Sequence, residues 1–378
     1  MTAPLLEVEG LAKHFPAGGG GFTRRGSRGW VRAVDGVSFT IAPGETFGLV
    51  GESGCGKSTI AKLILRLEEP TTGTLRFDGQ DVTRMSGKKL LGYRRAVQAV
   101  FQDPYSSLSP RMRVRDIVGE GLEIHTSMTK VQITARVHEV LELVGLRADH
   151  ARLYPHEFSG GQRQRIAIAR ALATDARLLV LDEAVSALDV SIRAQVITLL
   201  EDLQRELGVS YLYIGHDLAT VSHLSQRVGV MYLGRFVEVS DSETICLRPA
   251  HPYTQALFAA ALPHHPDSVT ETPAVRGEVP TALAIPAGCR FHPRCPQAMS
   301  VCTTVEPGWT TVRLGHEAAC HLLPPEAMPA GGEAMPAGGE AMPAGGEAMP
   351  AGGKEEVDST GAAGSATSGG GVGAALSG

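Results

Sequence analysis

The stretch that decides the fold is Phe47-Gly48-Leu49-Val50-Gly51-Glu52-Ser53-Gly54-Cys55-Gly56-Lys57-Ser58-Thr59. It joins a short apolar strand to the pattern G-x-x-x-x-G-K-[ST], whose glycines let the backbone turn sharply and point N–H groups at phosphate oxygens. Lys57 supplies a cation for the β- and γ-phosphates, and the Ser58 hydroxyl can bind Mg²⁺. Apolar spacing then predicts a helix whose first turn faces the phosphates, formed by Ile60, Leu63, Ile64 and Leu67. The stretch predicts a nucleotide-binding α/β protein rather than a glycine-rich surface turn.

The composition limits the partners and the compartment. The 378-residue chain has 40 acidic side chains against 35 lysines and arginines, a formal net charge of −5 that argues against a nucleic-acid partner. Its first residues lack the basic and apolar regions of a secretory signal, and no apolar stretch reaches the length that spans a bilayer. The expected location is the cytosol or the surface of a membrane.

Alternating apolar residues predict strands on both sides of the phosphate loop. Leu6 and Val8 indicate an edge strand that ends near Phe15, and residues 37 to 41 indicate a second strand. One hairpin is predicted at Asp78-Gly79, and another, between residues 228 and 239, turns at Gly234. The glycine-rich residues 16 to 29 are expected to form a solvated insert. Residues 1–84 and 166–245 are therefore predicted to form the nucleotide-binding core.

A helical segment is predicted to interrupt this core between residues 85 and 165. Strand signals are sparse there, and one amphipathic helix follows a cap region at Ser127 and Thr129. Its apolar face consists of Ile133, Val137, Val140, Leu141 and Val144. Gln102 lies earlier in the segment, within Val100-Phe101-Gln102-Asp103-Pro104, and taken alone is an ordinary polar surface residue.

Polar side chains follow two strands that are predicted to be buried on both faces. Asp182 and Glu183 come directly after Leu178-Leu179-Val180-Leu181, and His216 comes shortly after Tyr211-Leu212-Tyr213-Ile214. Ligands of open α/β sheets bind at the carboxyl ends of strands, where Asp182 can reach a metal and Glu183 an attacking water. Taken alone, the acidic pair would indicate only a solvated turn, and the histidine would indicate only a structural residue. Beside a phosphate loop, the catalytic interpretation is favoured.

The order of the motifs resembles that of the ATP-binding subunits of ABC transporters. The resemblance covers about residues 5 to 322. It rests on the phosphate loop, Gln102, Phe158-Ser159-Gly160-Gly161-Gln162, Asp182-Glu183, Ser186 to Asp189 and His216. It implies a P-loop NTPase fold of the ABC type, with N-terminal antiparallel strands, a helical subdomain that carries the Ser159 motif at its end, and a small irregular C-terminal domain.

The resemblance implies roles for individual residues around ATP and Mg²⁺. Phe15 would stack on adenine, and the loop residues Gly51 to Thr59 would hold the phosphates. Ser58 and Gln102 would bind Mg²⁺, with Asp182 holding the metal from its outer shell. Glu183 would polarise the attacking water, and His216 would contact the γ-phosphate.

A second set of implied roles spans two subunits. The motif formed by Ser159, Gly160, Gly161 and Gln162 would close over ATP bound to the opposing subunit, and Asp189 would link the two sites. The implied partners are a second ATPase, as a paralog or a second copy in a head-to-tail dimer, and two integral membrane permease subunits. An extracytoplasmic solute-binding protein would act indirectly. The chain would then lie on the cytoplasmic face of the cell membrane.

Two segments indicate which branch of this family the chain resembles. His251-Pro252-Tyr253-Thr254 and Cys289-Arg290-Phe291-His292-Pro293-Arg294-Cys295-Pro296 resemble the oligopeptide/dipeptide importer branch, and the insert at 16 to 29 resembles the second of its two ATPases. Related importers carry nickel or other small solutes, so the solute stays open. Three other functions remain: a soluble ABC-type ATPase on ribosomes or DNA, a metal-dependent regulatory module, and, with least support, an exporter.

Four late cysteines predict a metal site. Nine of the 23 prolines lie between residues 249 and 296, so residues 246–323 are expected to be an irregular domain outside the sheet. The ligand candidates are Cys289, Cys295, Cys302 and Cys320, which lack the C-x₂-C spacing of most zinc sites. The resemblance implies a [4Fe–4S] cluster; zinc, with help from His292, His316 or His321, and four reduced thiols are the alternatives.

The C-terminal tail is predicted to be disordered from residue 324 to 378. Residues 326 to 353 are four copies of Glu-Ala-Met-Pro-Ala-Gly-Gly, and the remainder is rich in Gly, Ala and Ser. A period of seven suggests a coiled coil, but one proline and two glycines in each repeat exclude a helix. The tail has no function that its composition predicts.

Overall fold

A computed structural model describes residues 3–17, 29–101, 107–261, 277 and 280–324. Twelve strands lie within these ranges: β1 Leu6–Pro16, β2 Trp30–Ile41, β3 Thr46–Val50, β4 Thr72–Phe77, β5 Gln80–Asp81, β6 Val97–Phe101, β7 Leu178–Asp182, β8 Ser210–Ile214, β9 Arg227–Tyr232, β10 Arg235–Asp241, β11 Thr310–Arg313 and β12 His316–Ala318. The α-helices in the same ranges are α1 Lys57–Ile64, α2 Gly87–Ala96, α3 Val114–His125, α4 Lys130–Leu143, α5 Gly160–Leu172, α6 Val190–Leu207, α7 Leu218–Leu224, α8 Ser242–Leu247 and α9 Pro252–Ala261.

The front of the molecule is an antiparallel sheet with the strand order β2-β1-β4-β5. Its apolar residues pack with β3 and α1 into one core layer that includes Leu6, Ile41, Phe47 and Ile60. The expected hairpin at Asp78-Gly79 is present, because β4 pairs with β5 across it. β1 was expected to be an edge strand, but it pairs with β2 on one side and β4 on the other. Alternation reports which face is buried and does not report how many neighbours a strand has.

The second sheet carries the strand order β11-β12-β10-β9-β3-β8-β7-β6. β3, β6, β7 and β8 pair in parallel in this part of the sheet, and the side chains of β3, β7 and β8 are largely buried on both faces. The predicted hairpin between residues 228 and 239 is confirmed, since β9 and β10 pair antiparallel around Gly234. β3, β8 and β7 are adjacent, so their carboxyl ends lie side by side.

The predicted helical segment is partly wrong at its beginning. β6 lies inside residues 85–165 and pairs in parallel with β7, which makes it part of the core sheet. Its five residues carry too little alternation to stand out, and its pairing partner is about eighty positions away in the chain. The later part is helical, and α4 begins at the predicted Thr129 cap, where Thr129 and Gln132 form a reciprocal capping box.

The C-terminal segment is also more regular than expected. β12 pairs with β10, and β11 pairs with β12, so both extend the main sheet instead of lying outside it. The signal was missed because these strands are short and their pairing is long-range. Arg290, buried between this segment and the core, donates to the Asp35 carboxylate on β2 and to the Leu233 carbonyl. The predicted tail, beyond Pro324, lies outside the described residues.

Among the described ranges, no helix has both the length and the apolar character needed to cross a bilayer.

Candidate functional site

The phosphate loop leaves β3 and enters α1 in a backbone conformation that requires glycine at two positions. Gly51 has φ 150° and Gly56 has φ 115°. A Cβ atom at Gly51 would lie 2.2 Å from the carbonyl oxygen of Met231, and one at Gly56 would lie 2.2 Å from that of Ala33. Both contacts are with backbone, which cannot move aside as a flexible side chain does. The glycines of the motif therefore let neighbouring strands pack directly against the loop.

Lys57 is buried inside the loop that precedes it, with 7 % of its surface exposed. Its Nζ donates to the carbonyl oxygens of Gly51 at 2.7 Å and Glu52 at 3.0 Å. These hydrogen bonds hold the ammonium group at the centre of the loop, where an anionic ligand would replace neutral carbonyl partners with charged ones. Contact between Lys57 and the β- and γ-phosphates stays a prediction.

Asp182 ends β7 beside the first turn of α1. Burial raises the pKa of its carboxyl group, and the adjacent Glu183 raises it further. A hydrogen bond from Ser58 and the charge of Lys57 act in the opposite direction. The hydroxyl of Ser58 is therefore near enough to the carboxyl group of Asp182 to lower its pKa. Both are hard oxygen donors of the kind that Mg²⁺ binds.

Glu183 and His216 form a pair at the ends of neighbouring strands. The Nδ1 atom of His216 lies 3.3 Å from Oε2 of Glu183, and the histidine side chain is 61 % exposed, so it can reach a ligand. Glu183 has φ 51°, an uncommon conformation for a residue with a side chain. Its N–H donates to the Ile214 carbonyl at 2.8 Å, and its carbonyl accepts from the N–H and the hydroxyl of Ser186. These bonds hold the strained residue in place.

The Ser159 motif begins α5. Ser159 is exposed, and its hydroxyl accepts from the Gln162 N–H at 3.4 Å while its own N–H donates to Oε1 of Gln162 at 3.0 Å. A Cβ atom at Gly161 would lie 2.4 Å from Cγ2 of Ile192, so the absence of a side chain here lets α5 pack against Ile192 on α6. Asp189, which precedes α6, is exposed near the same helix contact. The two segments predicted to face another subunit thus both expose polar groups.

Two predicted residues are not placed beside the phosphate loop by any described contact. Phe15 lies near the end of β1, half-buried, with the Lys13 ammonium 5.0 Å from its ring centre. Its adenine-stacking role stays a prediction. Gln102 lies outside the described residues, and so do the neighbouring residues up to Ser106.

Sequence reasoning missed an ion pair behind the catalytic edge. Arg193 on α6 donates to Asp217 at 2.9 Å and to the Leu188 carbonyl at 3.3 Å. Asp217 caps α7 and also accepts from the Thr220 hydroxyl. Asp217 follows His216 directly, so this pair ties the histidine's loop to α6. The sequence signal was Asp217 itself, an N-cap residue type at the start of a helix.

Sequence reasoning also missed two contacts from the C-terminal segment to the phosphate loop. Arg294 donates to both carboxylate oxygens of Glu52, at 2.8 and 3.0 Å. The Tyr253 hydroxyl accepts from the Glu52 N–H at 2.9 Å. Both residues belong to segments that the sequence had singled out, but nothing in their spacing indicates Glu52 as a partner.

The four late cysteines are free thiols and influence one another. Burial, together with the nearby Cys289, Cys295 and Cys302, raises the pKa of Cys320 to about 11, so the four thiols influence one another. Within the part of the chain that the structure describes, however, no group of three or more His, Cys, Asp or Glu side chains is arranged to hold a metal ion. The side chains as placed therefore do not form a metal site, and the predicted cluster stays a prediction.

Two family models match the chain. The model described as "ABC transporter" matches residues 34–186, and the model described as "Oligopeptide/dipeptide transporter, C-terminal region" matches residues 237–302. The first match contains the phosphate loop, the Ser159 motif and the Asp182-Glu183 pair. The second contains Tyr253 and Arg294, the two residues that contact the phosphate loop from the C-terminal side.

Individual proteins are similar over most of their length. A Brucella ovis relative, whose name includes the words peptide import ATP-binding protein, is 50 % identical over 317 residues, 84 % of this chain and 97 % of the relative. The oligopeptide transport ATP-binding protein AppF of Bacillus subtilis is 47 % identical over 321 residues, 84 % of this chain and 97 % of AppF.

Solved structures show the same fold. CbiO1 of Clostridium perfringens, described as part of the ABC transporter complex CbiONQ, is 27 % identical, with a TM-score of 0.57 over 65 % of this chain and 92 % of that chain. The ATP-binding cassette MJ0796, in a dimeric post-hydrolysis state with ADP and Pi, is 26 % identical, with a TM-score of 0.54 over 63 % of this chain and 98 % of that chain. With its motifs, its two matching family models and its relatives, this chain belongs to the ATP-binding subunits of ABC transporters, in the oligopeptide/dipeptide importer branch.

Proposed function

We propose that this chain hydrolyses ATP to energise the import of oligopeptides or dipeptides through a membrane permease. The observation that carries the proposal is the meeting, at one sheet edge, of the buried Lys57 ammonium, the Asp182 carboxyl group at the end of β7 and the Glu183–His216 pair. Peptide specificity is supported by the relatives, whose names refer to peptide or oligopeptide transport. An importer of nickel or another small solute is the alternative within this branch.

Phosphoryl transfer needs positioning and charge neutralisation more than covalent chemistry from the protein. In the proposed cycle, Lys57 neutralises the β- and γ-phosphates and the loop N–H groups hold them in register. Ser58 and Gln102 would bind Mg²⁺, with Asp182 holding the metal from its outer shell, and the metal would offset the charge that develops on the phosphate oxygens. Glu183 accepts a hydrogen bond from the attacking water, and His216 contacts the γ-phosphate from the adjacent strand.

The proposed active unit is a head-to-tail dimer with a second ATPase subunit. Ser159 and Asp189 are both exposed, as the resemblance requires of residues that act on a neighbouring subunit. A dimeric relative supports the arrangement, since MJ0796 is described as dimeric in its post-hydrolysis state. ATP held between two subunits would favour the closed dimer, and its hydrolysis would let the dimer reopen.

The membrane side of the proposal comprises two permease subunits, with a solute-binding protein acting from outside the cell. The chain would lie peripherally on the cytoplasmic face of the membrane, in contact with the permease through the helical segment near Gln102. This assignment rests on membership of the importer branch and on the proposed coupling of dimer closure to transport.

Affinity purification from detergent-solubilised native membranes tests the assembly. We expect mass spectrometry to find a second ATPase and two multi-span membrane proteins bound to this chain. A parallel purification with the affinity tag alone, without this chain, is the control, because it identifies membrane proteins that adhere to the resin. Recovery of ribosomes, or of this chain without any membrane protein, would contradict the importer assignment and favour a soluble ATPase.

The resemblance also predicts a [4Fe–4S] cluster on Cys289, Cys295, Cys302 and Cys320, and chemical analysis can decide it. Anaerobically purified protein should contain about four iron atoms per chain and show a broad visible absorption band. Cys289→Ser should lose the iron, whereas Cys246→Ser, at a cysteine outside the set, should retain it. A colourless sample that contains zinc or no metal would show that the prediction is wrong.

A further inference from the structure

We propose that the C-terminal segment forms part of the nucleotide site, with Arg294 and Tyr253 acting as positioning residues that hold the phosphate loop through Glu52. The inference rests on the proposed ATPase function and adds to it. ATP affinity would then depend on a part of the chain that lies outside the nucleotide-binding motifs. We call the Arg294–Glu52–Tyr253 contacts the loop clamp.

The first half of the clamp is a two-pronged ion pair. Nη1 of Arg294 lies 2.8 Å from one carboxylate oxygen of Glu52, and Nη2 lies 3.0 Å from the other. The Arg294 side chain is only 9 % exposed and that of Glu52 28 % exposed, so solvent screens this pair less than a surface pair. The hydrogen bonds to Glu52 raise the pKa of Arg294 above its usual range. Such a paired geometry fixes direction as well as distance.

The second half of the clamp acts on the loop backbone. The Tyr253 hydroxyl accepts a hydrogen bond from the Glu52 N–H at 2.9 Å. Lys57 donates to the carbonyl of the same residue at 3.0 Å. Glu52 therefore has its side chain and its N–H held by the C-terminal segment, while its carbonyl positions the lysine that is to bind phosphate.

Three segments distant in sequence hold the clamp rigid. Tyr253 on α9, Tyr232 on β9 and Phe291 between the first two late cysteines form a cluster of aromatic rings with centroids 4.7 to 5.4 Å apart. Arg294 lies over the Tyr232 ring, with its guanidinium carbon 5.9 Å from the ring centre. Because each ring comes from a different part of the chain, the position of the clamp depends on the folded C-terminal segment.

Hydrogen bonds to a buried carboxylate also hold the start of α9 in place. The fully buried Glu238 carboxylate accepts from the N–H groups of Ala250 and His251, each at 2.8 Å, and lies 2.7 Å from Nε2 of His316 on β12. This network fixes the turn before Tyr253. His316 on β12 contacts Glu238, Glu238 holds the turn before α9, and Tyr253 on α9 contacts Glu52. The strand β12 is thereby connected to the phosphate loop.

Loss of Arg294 has two consequences for an incoming nucleotide. The loop loses the contact that fixes its second residue, and the Glu52 carboxylate is left unpaired close to the phosphate site. An unpaired negative charge there repels the triphosphate, and a less ordered loop must be ordered on binding. Both consequences act through Glu52, so the effect of Arg294 should disappear when Glu52 is replaced.

A double-mutant cycle on the full-length chain tests this coupling. We expect Arg294→Ala to raise the Kd for MgATP by about tenfold, and to change it by less than about twofold in the Glu52→Ala background. The rise should be expressed in KM, while kcat at saturating ATP stays within about twofold of the wild type. Titration with a fluorescent ATP analogue measures Kd, and phosphate release measures the steady-state constants.

Matched variants separate positioning from general loss of stability. Arg177 forms a similar two-pronged pair with Asp78, at 2.7 and 3.3 Å, at the amino end of β7, away from the phosphate loop. Arg177→Ala should leave the Kd for MgATP unchanged.

Arg294→Lys is the variant to use if Arg294→Ala does not fold. It keeps the positive charge but cannot form the two-pronged contact, so it should still raise the Kd for MgATP when Glu52 is present. Tyr253→Phe removes the hydroxyl that accepts from the Glu52 N–H, and it should raise the Kd for MgATP a few-fold.

The possible results have distinct meanings. Equal losses from Arg294→Ala with and without Glu52 would overturn the clamp, since the arginine would then act by another route. An unchanged Kd in folded Arg294→Ala and Arg294→Lys protein would overturn it as well. If the wild-type chain itself failed to bind MgATP, the proposed function would fail first, and that result is visible in the same titration.

Discussion

Replacing Glu183 by Gln should leave ATP binding intact and lower the rate of hydrolysis by about 10²- to 10⁴-fold, the range typical of losing a general base. The amide keeps the size of the side chain and can still hydrogen bond, but it does not accept a proton from the attacking water. His216, 3.3 Å away, should remain in place because the next residue, Asp217, caps α7 and pairs with Arg193. The measurement is phosphate release at saturating MgATP, with Kd determined in parallel.

A second glutamate–histidine pair provides the control for Glu183→Gln. Glu201 on α6 lies 3.2 Å from Nε2 of His223 on α7, and neither residue is in the site. Glu201→Gln makes the same chemical change to the same kind of pair, and hydrolysis should continue at the wild-type rate. Near-normal turnover by Glu183→Gln would remove the assignment of Glu183 as the base.

Replacing Lys57 by Ala should weaken ATP binding by about 10- to 100-fold, the loss expected when hydrogen bonds to charged groups are removed. The ammonium group is buried and is held by two carbonyl oxygens of its own loop. The variant loses the phosphate ligand and also leaves those carbonyls without their donor. Isothermal titration with MgATP measures the change directly.

Lys62 is the matched control for Lys57→Ala. It lies five positions further along α1 and is exposed to solvent. Lys62→Ala should bind ATP as the wild type does, which would show that removing a positive charge from this helix is not enough to weaken binding. ATP affinity that is unchanged in Lys57→Ala would count against the assignment of the phosphate loop itself.

Local patterns were enough to predict the catalytic edge of the sheet. The strand before Gly51, the glycines of the loop and the helix after Lys57 are neighbours in sequence, so their geometry follows from short-range backbone rules. Asp182, Glu183 and His216 were predicted from their place after buried apolar runs. The parallel order β3-β8-β7 brings those ends together. The Thr129 cap of α4 was predicted in the same way.

Long-range pairing accounts for the predictions that were wrong. β6 was interpreted as part of a helical segment, and β11 and β12 were interpreted as irregular, because each is only three to five residues long. A strand this short is stabilised mainly by the partner to which it hydrogen bonds, and its own residues carry little information about that partner. The edge position expected for β1 was wrong for a different reason, since alternation reports which face of a strand is buried and not how many strands flank it.

The sequence by itself determined the family and the phosphate loop, and it predicted which residues surround ATP, since these depend on residue types at fixed short spacings. Only the tertiary structure decided that Arg294 meets Glu52, 242 positions away, and that Tyr253 accepts from the same residue. Such a contact depends on how β9, α9 and the segment between Cys289 and Cys295 pack around one another. Packing is a collective property of distant residues, and no local pattern records which side chains it brings within hydrogen-bonding distance.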